Sequence, residues 1–409
     1  MLRAGLRSRS FQLMLATSLV GFGGYGMLLP IVPLWAALGG AGEFGAGMTT
    51  GVFMLATVGT QFVVPALLRR LGHRPVLMLG MLLLGGPAPL YALSADLPLL
   101  LGVSLVRGVG FGLVTVAGSA LIAELVPSAE HGRAAARYGF AVGLPQLVLL
   151  PSGVVIAEQV GFGPLFTLAG TLPVAGAVLV LGIRVPPGRE LSPRESAHRD
   201  PAQRPGPAQD WRAVRSSAGP WLAMLTCSMA QGGVITFLPL AMPRAGVLVP
   251  VALLATTAGT LVGRLLAGEL IDRWGLAGRL LVVGMLLAVA GTAAEVVAVH
   301  SSGGLRTAAA VVGAALVGIG FGVVQNDSLV MMFAAAGASG YGAASAAWNI
   351  GYDAGTGLGA VVLGAAAQQL GFAAAFATSA VLLAMMLPAA ARTRRQAPAG
   401  TMQAWHPRR

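Results

Sequence analysis

The sequence predicts an all-α membrane protein, with twelve transmembrane helices arranged as two pseudo-symmetric six-helix bundles. Three observations lead there. Of 409 residues, 56% are hydrophobic and only 10% charged, and the mean hydropathy is +0.79. A soluble domain carries about 25% charged residues, so this chain has too few to cover a wetted surface. The apolar residues also come in unbroken runs, long enough for spans of about 20 residues each. Finally, the second half repeats the first at an offset near 210 residues.

These observations exclude a water-soluble globular enzyme. They also exclude a transmembrane barrel, whose strands give alternating segments of about 10 residues; Phe11–Ala37 and Leu97–Val126 are continuous and far longer. Helix is the open structure that satisfies its own backbone in lipid.

In chain order, twelve apolar segments are expected near residues 11–36, 48–68, 75–94, 98–125, 136–157, 163–185, 219–242, 247–270, 279–299, 307–334, 343–367 and 373–391. The first follows MLRAGLRSRS, an opening that could be a secretory signal. Its run is too long for a cleaved segment and contains Tyr25, Pro30 and Pro33, so it reads as a retained first helix.

Orientation follows from the basic residues, all 26 of which are arginine. With the N-terminus inside, 22 fall on the cytoplasmic side and only Arg244 and Arg306 outside, while Arg107 and Arg264 lie within helices. Cytoplasmic loops carry the basic excess, so both termini are expected in the cytoplasm. The net charge of +12 does not point to nucleic acid, because the arginines are scattered between apolar runs. Residues 186–218, rich in Pro, Arg and polar side chains, read as a flexible cytoplasmic linker. The expected organisation is thus a bundle over 1–185, the linker, a bundle over 219–391 and a tail over 392–409.

The repeat is specific. Gly24–Pro30 matches Gly233–Pro239 at offset 209, and Gly108-Val-Gly-Phe-Gly112 matches Gly318-Ile-Gly-Phe-Gly322 at 210. Gly80-Met-Leu-Leu83 matches Gly284-Met-Leu-Leu287 at 204. Two six-helix units that both start inside form the parallel-repeat arrangement of transporters, whose substrate sites lie near the midplane between the halves.

The loop after the eighth segment reads Gly268-Glu-Leu-Ile-Asp272-Arg273-Trp-Gly275. Its glycines permit a tight turn, and its Asp and Arg supply charges that can pair with neighbouring helix ends. With this motif the chain resembles the major facilitator superfamily of secondary transporters, over nearly its whole length. The resemblance implies a cytoplasmic gate at Gly268, Asp272, Arg273 and Gly275. The first-half copy keeps Arg70, Gly72 and Arg74 but has Arg69 for the family's Asp and Pro65 for its Gly. Arg107, in Leu105-Val-Arg107-Gly108, is similar to the family's fourth-helix arginine motif. It lies about 14 Å into its segment. Gly143-Leu-Pro145 and Pro151-Ser-Gly153 look like a weakened Gly-Pro motif of drug–proton antiporters, with Leu150 in place of a glycine. No acid stands on the first helix, where several such antiporters carry one.

The halves differ where polar groups were added. Gln325, Asn326 and Asp327 replace Thr115, Val116 and Ala117, and Asn349 and Asp353 replace Gly139 and Gly143. Asn349, Asp353 and Thr356 share one helix face by spacing, beside Trp348 and Tyr352. Asp353 reads either as a proton carrier or as part of a structural hydrogen-bond network. Asp327, expected nearer water at the cytoplasmic end, reads either as a second proton group or as a helix-end polar residue. Glu295, Glu124 and Glu158 are expected to be solvated, and Arg264 to pair with Glu269, Asp272 or the interface. The expected substrate contacts are Tyr25, Arg107, Phe237, Gln325, Asn326, Trp348, Asn349 and Tyr352, in a cavity made mostly apolar by Met27, Phe111 and Phe321.

No enzymatic motif is present, and none of the five histidines lies within a span. The lone Cys227 rules out an intrachain disulfide. No metal or cofactor is expected. The partners expected are a small-molecule substrate, protons and the lipid bilayer, not nucleic acid, and the protein is expected to be a monomer in the plasma membrane, a bacterial inner membrane. Sparse polarity favours proton-coupled export of small lipophilic or amphipathic compounds. The alternative is a symporter importing a small organic acid, with Arg107 as anion anchor; a membrane receptor or lipid-handling scaffold is the third reading.

Overall fold

The computed structural model describes residues 5–127, 130–184, 217–243 and 245–393. Most of the expected linker and tail, with Arg3, Arg189, Arg194, Arg199, Arg204, Arg212, Arg215, Arg244, Arg394, Arg395, Arg408 and Arg409, lies outside the described residues. Every regular element among those residues is helical, and twelve stretches are long and apolar enough to cross a membrane.

The helices are α1 (Arg9–Leu28), α2 (Ile31–Leu38), α3 (Gly42–Leu71), α4 (His73–Gly85), α5 (Leu97–Leu125), α6 (His131–Gln159), α7 (Phe162–Leu181), α8 (Ala218–Ala241), α9 (Leu248–Trp274), α10 (Leu280–His300), α11 (Gly303–Leu370) and α12 (Phe372–Thr393). The first expected segment divides into α1 and α2 around Pro30, which has no N–H to continue the ladder. The second starts at Gly42, ahead of the expected residue 48. Behind α4, Pro87 and Pro89 stop the α-helix and leave a 3₁₀ turn, Ala88–Ala92. Helix α11 carries two spans, Gly303–Ala336 and Ala343–Leu370. The Trp348 indole N–H donates to Ser328 Oγ at 3.0 Å. Twenty residues of straight helix would separate them by about 30 Å, so the chain doubles back between them.

The chain divides into two compact units, residues 1–199 with 235–254, and residues 200–234 with 255–409. In the first unit, α5 packs on α3 and α4, and α1 packs on α6 and α7. In the second, α10 packs on α11 and α12.

Glycine spacing explains the tightest crossings. Residues two apart on a helix point about 200° apart, and residues four apart return to one face. Gly108 and Gly112 accordingly face α3, where a Cβ would strike the carbonyl oxygens of Phe53 and Thr57, while Gly110 faces Gly80 and Leu84 of α4. The second unit repeats this contact for contact: Gly318 and Gly322 meet the carbonyls of Thr256 and Thr260 on α9, and Gly320 meets Gly284 and Ala288 of α10. The partners stand at offsets of 203, 204 and 210; the last two relate the halves above, and Gly72 and Gly275 stand 203 apart. The repeat is therefore one of packing as well as of residues.

Candidate functional site

Two groups of predicted site residues emerge, one in each unit. In the first, Arg107 is 3% exposed. Its Nε donates to the Leu84 carbonyl at 2.9 Å and its Nη1 to the Tyr91 hydroxyl at 3.3 Å. Tyr91 shares a further hydrogen bond with Ser104 at 2.8 Å. The guanidinium carbon stands 5.4 Å from the Tyr91 ring centroid and 5.7 Å from that of Phe53, within cation–π range. Tyr25 stacks on Phe111 at 4.2 Å and on Phe53 at 5.7 Å. A cavity of about 20 Å³ opens among Tyr25, Phe53, Tyr91 and Arg107, room for about one water. This group holds a buried cation by neutral acceptors and ring faces.

A larger hollow of about 500 Å³ lies between α1 and α6 of the same unit. Leu15, Leu19 and Phe140 line it, with Gln12 and Arg137 as its polar members. Gln12, Leu19, Ala136, Arg137 and Phe140 are exposed, so it is an open groove on the surface of the unit.

In the second unit, Trp348, Tyr352 and Phe321 form an aromatic row, with centroids 6.4 Å and 5.6 Å apart. Asp353 and Thr356 are buried beside it, and Asp353 interacts electrostatically with Tyr352. Asn349 is half-buried and donates to the Ser345 carbonyl at 2.8 Å, one turn back. Phe237, wholly buried on α8, falls in the first unit, with residues 235–254.

Gln325, Asn326 and Asp327 point in different directions. Successive helical residues point about 100° apart, and these three diverge. Asn326 faces Gly268 of α9, its Nδ2 3.4 Å from where a Cβ would stand, and the Gln325 Oε1 is buried without a hydrogen-bond partner. Asp327 is fully buried, contrary to the access to water expected for it. It accepts the backbone N–H of Gly278 at 2.7 Å and of Leu281 at 2.9 Å. A helix start leaves its first amides without intrahelical acceptors, and the α10 start lies against Asp327, which caps it.

Of the further expectations, that for Glu295 is corrected. Glu295 is not solvated but 0% exposed; its helix turns that face onto α11 rather than outward. Glu124 and Glu158 are exposed, as expected, and His73 Nδ1 lies 3.4 Å from Glu124. Arg264 is exposed and interacts electrostatically with Tyr352, while Glu269 pairs with Arg273; four residues on is the favoured partner on a helix.

In the gate loops, Gly72 and Gly275 take φ of 80° and 62°, the left-handed region that glycine enters without strain. Arg74 donates to the Leu181 carbonyl at 2.7 Å. Arg70, Asp272 and Arg273 are exposed, and Gly268 is half-buried. Tyr91, Ser104, Phe53 and Ser328 were not among the expected site residues. The offset of 204 was the available signal for Tyr91, since it sets that residue against Glu295.

The Major Facilitator Superfamily model matches residues 13–359. The inner membrane transport protein YajR of Escherichia coli (strain K12) is 26% identical over 159 residues, which cover 38% of this chain and 34% of that protein's length. Among solved structures, a bacterial homolog of the human lysosomal transporter Spinster, inward-facing and unoccupied, aligns with a TM-score of 0.74 at 15% identity, covering 96% of this chain and 98% of that one. A mutant of the nucleoside transporter NupG aligns at 0.73 and 11% identity, covering 94% and 99%. At such identities these two structures speak for the fold. The family match spans most of the chain, its twelve apolar helices are those of a multi-pass membrane protein, and the chain belongs to the major facilitator superfamily of transporters.

Proposed function

We propose that this transporter exports small lipophilic or amphipathic organic compounds, coupled to protons, by alternating access. The observation that carries the reading is the buried Asp353 beside the aromatic row of Tyr352, Trp348 and Phe321. A carboxyl group inside a membrane span is expensive and is kept there for a function; bound to a proton in one state and ionised in another, it links a gradient to the cycle.

Asp353 is the first proton group of this proposal, with Tyr25, Arg107, Phe237, Trp348, Asn349 and Tyr352 as cargo contacts. Asp327, as a helix cap, is assigned to holding α10. The protein acts as a monomer in the plasma membrane, both termini in the cytoplasm.

Proteoliposomes with an imposed proton gradient and ethidium as the probe test this. Wild type accumulates the dye against its gradient and D353N does not; equal accumulation by the two ends the proton role of Asp353. Import of a small organic acid is the second reading, favoured by the buried Arg107 cation. It stands if R107A abolishes uptake of an organic anion and leaves ethidium transport untouched.

A further inference from the structure

Glu295 lies on α10, five residues before that helix ends at His300, and is 0% exposed. Neither carboxyl oxygen has a hydrogen-bond partner among the described residues. Glycine makes the slot it occupies. A Cβ on Gly313 of α11 would stand 3.0 Å from Glu295 Oε1 and 2.9 Å from the Gly291 carbonyl oxygen, so the main chains of α10 and α11 run side by side there.

The ionisable groups on the packed elements stand apart from it. Helix α11 brings Arg306, two turns before Gly313, Asp327, which is bound to the α10 start, and Tyr352 and Asp353, which interact with each other. On α12 only Arg392, in the last turn, is charged. On α10 itself His300 Nδ1 meets the Val296 carbonyl at 2.9 Å. None of these is within ion-pair distance of Glu295 among the described residues.

The internal copy sharpens the point. At offset 204 Glu295 stands where the first half has Tyr91, whose hydroxyl meets Ser104 and Arg107. At offset 210 those two partners become Ala314 and Val317. The second half thus holds an acid at the site of a phenol, with both polar partners replaced by apolar side chains. A bare carboxylate in that slot has neither counter-ion nor donor, and burying one is costly; a neutral carboxylic acid avoids the charge.

We infer that Glu295 is a proton-binding site: its carboxyl group carries a proton in this conformation and yields it to water when the packing of α10 on α11 loosens. It is a second proton group beside Asp353, and only its place in the transport cycle rests on the export reading.

Infrared spectroscopy of the full chain in lipid, with ¹³C-labelled glutamate, tests the site at neutral pH. The expected result is an isotope-shifted carboxylic acid C=O band in wild type and D353N that is missing in E295Q. A spectrum showing only ionised glutamate, or an acid band that survives E295Q, overturns the inference. Should E295Q not fold, the wild-type spectrum decides by itself, because no other described glutamate is buried. Ethidium transport by E295Q is expected to lose the alkaline fall-off of the wild-type profile. A wild-type protein that moves no ethidium would end the export reading and leave the infrared result standing.

Discussion

Arg107 and Leu84 join two membrane helices of the first unit: the guanidinium Nε donates to the Leu84 carbonyl oxygen at 2.9 Å. Leu84 lies near the end of α4, where the helical ladder stops at Gly85. A carbonyl in the last turn has no intrahelical donor, and the buried arginine supplies one.

Removing that donor has a measurable cost. R107A is expected to lose about 1.5–3 kcal/mol of stability, the range for hydrogen bonds to charged groups. R107K keeps the charge without the planar fork and should fall between. Y91F removes one hydroxyl and should cost only about 0.6 kcal/mol, the average for such bonds between membrane helices. Thermal unfolding in detergent checks the order; Y91F as damaging as R107A would contradict it.

The glycine crossings predict a different sensitivity. G318A puts a methyl group against the Thr256 carbonyl, and G108A does the same at Phe53. Backbone cannot yield as a side-chain tip can, so each should cost about 1–3 kcal/mol. G102A, where nothing lies within 4 Å of an added Cβ, should be neutral. Expression level and melting temperature of the three variants settle the comparison.

Asp327 caps α10, so its loss should act on stability before it acts on coupling. D327A is expected to cost about 1–2 kcal/mol, as for other helix caps, and D327N less, because its amide oxygen can still accept one N–H. Proton-gradient-driven ethidium transport by D327N should stay within about threefold of wild type. A D327N protein of normal stability that has lost coupling would refute the structural assignment.

Trp348 reports on the reversal of α11. W348F removes the N–H that bonds Ser328 and should destabilise by about 0.6–2 kcal/mol. The same variant should lose a blue-shifted component of tryptophan emission, since Trp348 is only 8% exposed.

Much of this architecture is legible in the residues. Hydropathy reveals the spans because lipid tolerates little else, and the glycine patterns of Gly108–Gly112 and Gly318–Gly322 reveal the repeat because close crossings admit no other side chain. Rotation about the helix axis is harder to read. Glu295 stands near a helix end, where position alone suggests water, but the helix face it occupies is set by Gly291 and Gly313 on two different elements. Asp327 looked like a proton group because its role depends on where α10 begins. The Arg107 site was only partly visible, since Tyr91 reaches it through a 3₁₀ turn made by Pro87 and Pro89, a detour that no periodicity announces.

Where α3 meets α5, and α9 meets α11, main chain bears directly on main chain. No side chain stands between the helices at these crossings to take up a change of spacing by turning to another rotamer. Compliance during a working cycle then falls to the interrupted stretches, the joint at Leu29–Pro30 and the two prolines of α6, Pro145 and Pro151. Those are the places where stiffening by substitution should slow the motor without weakening the frame.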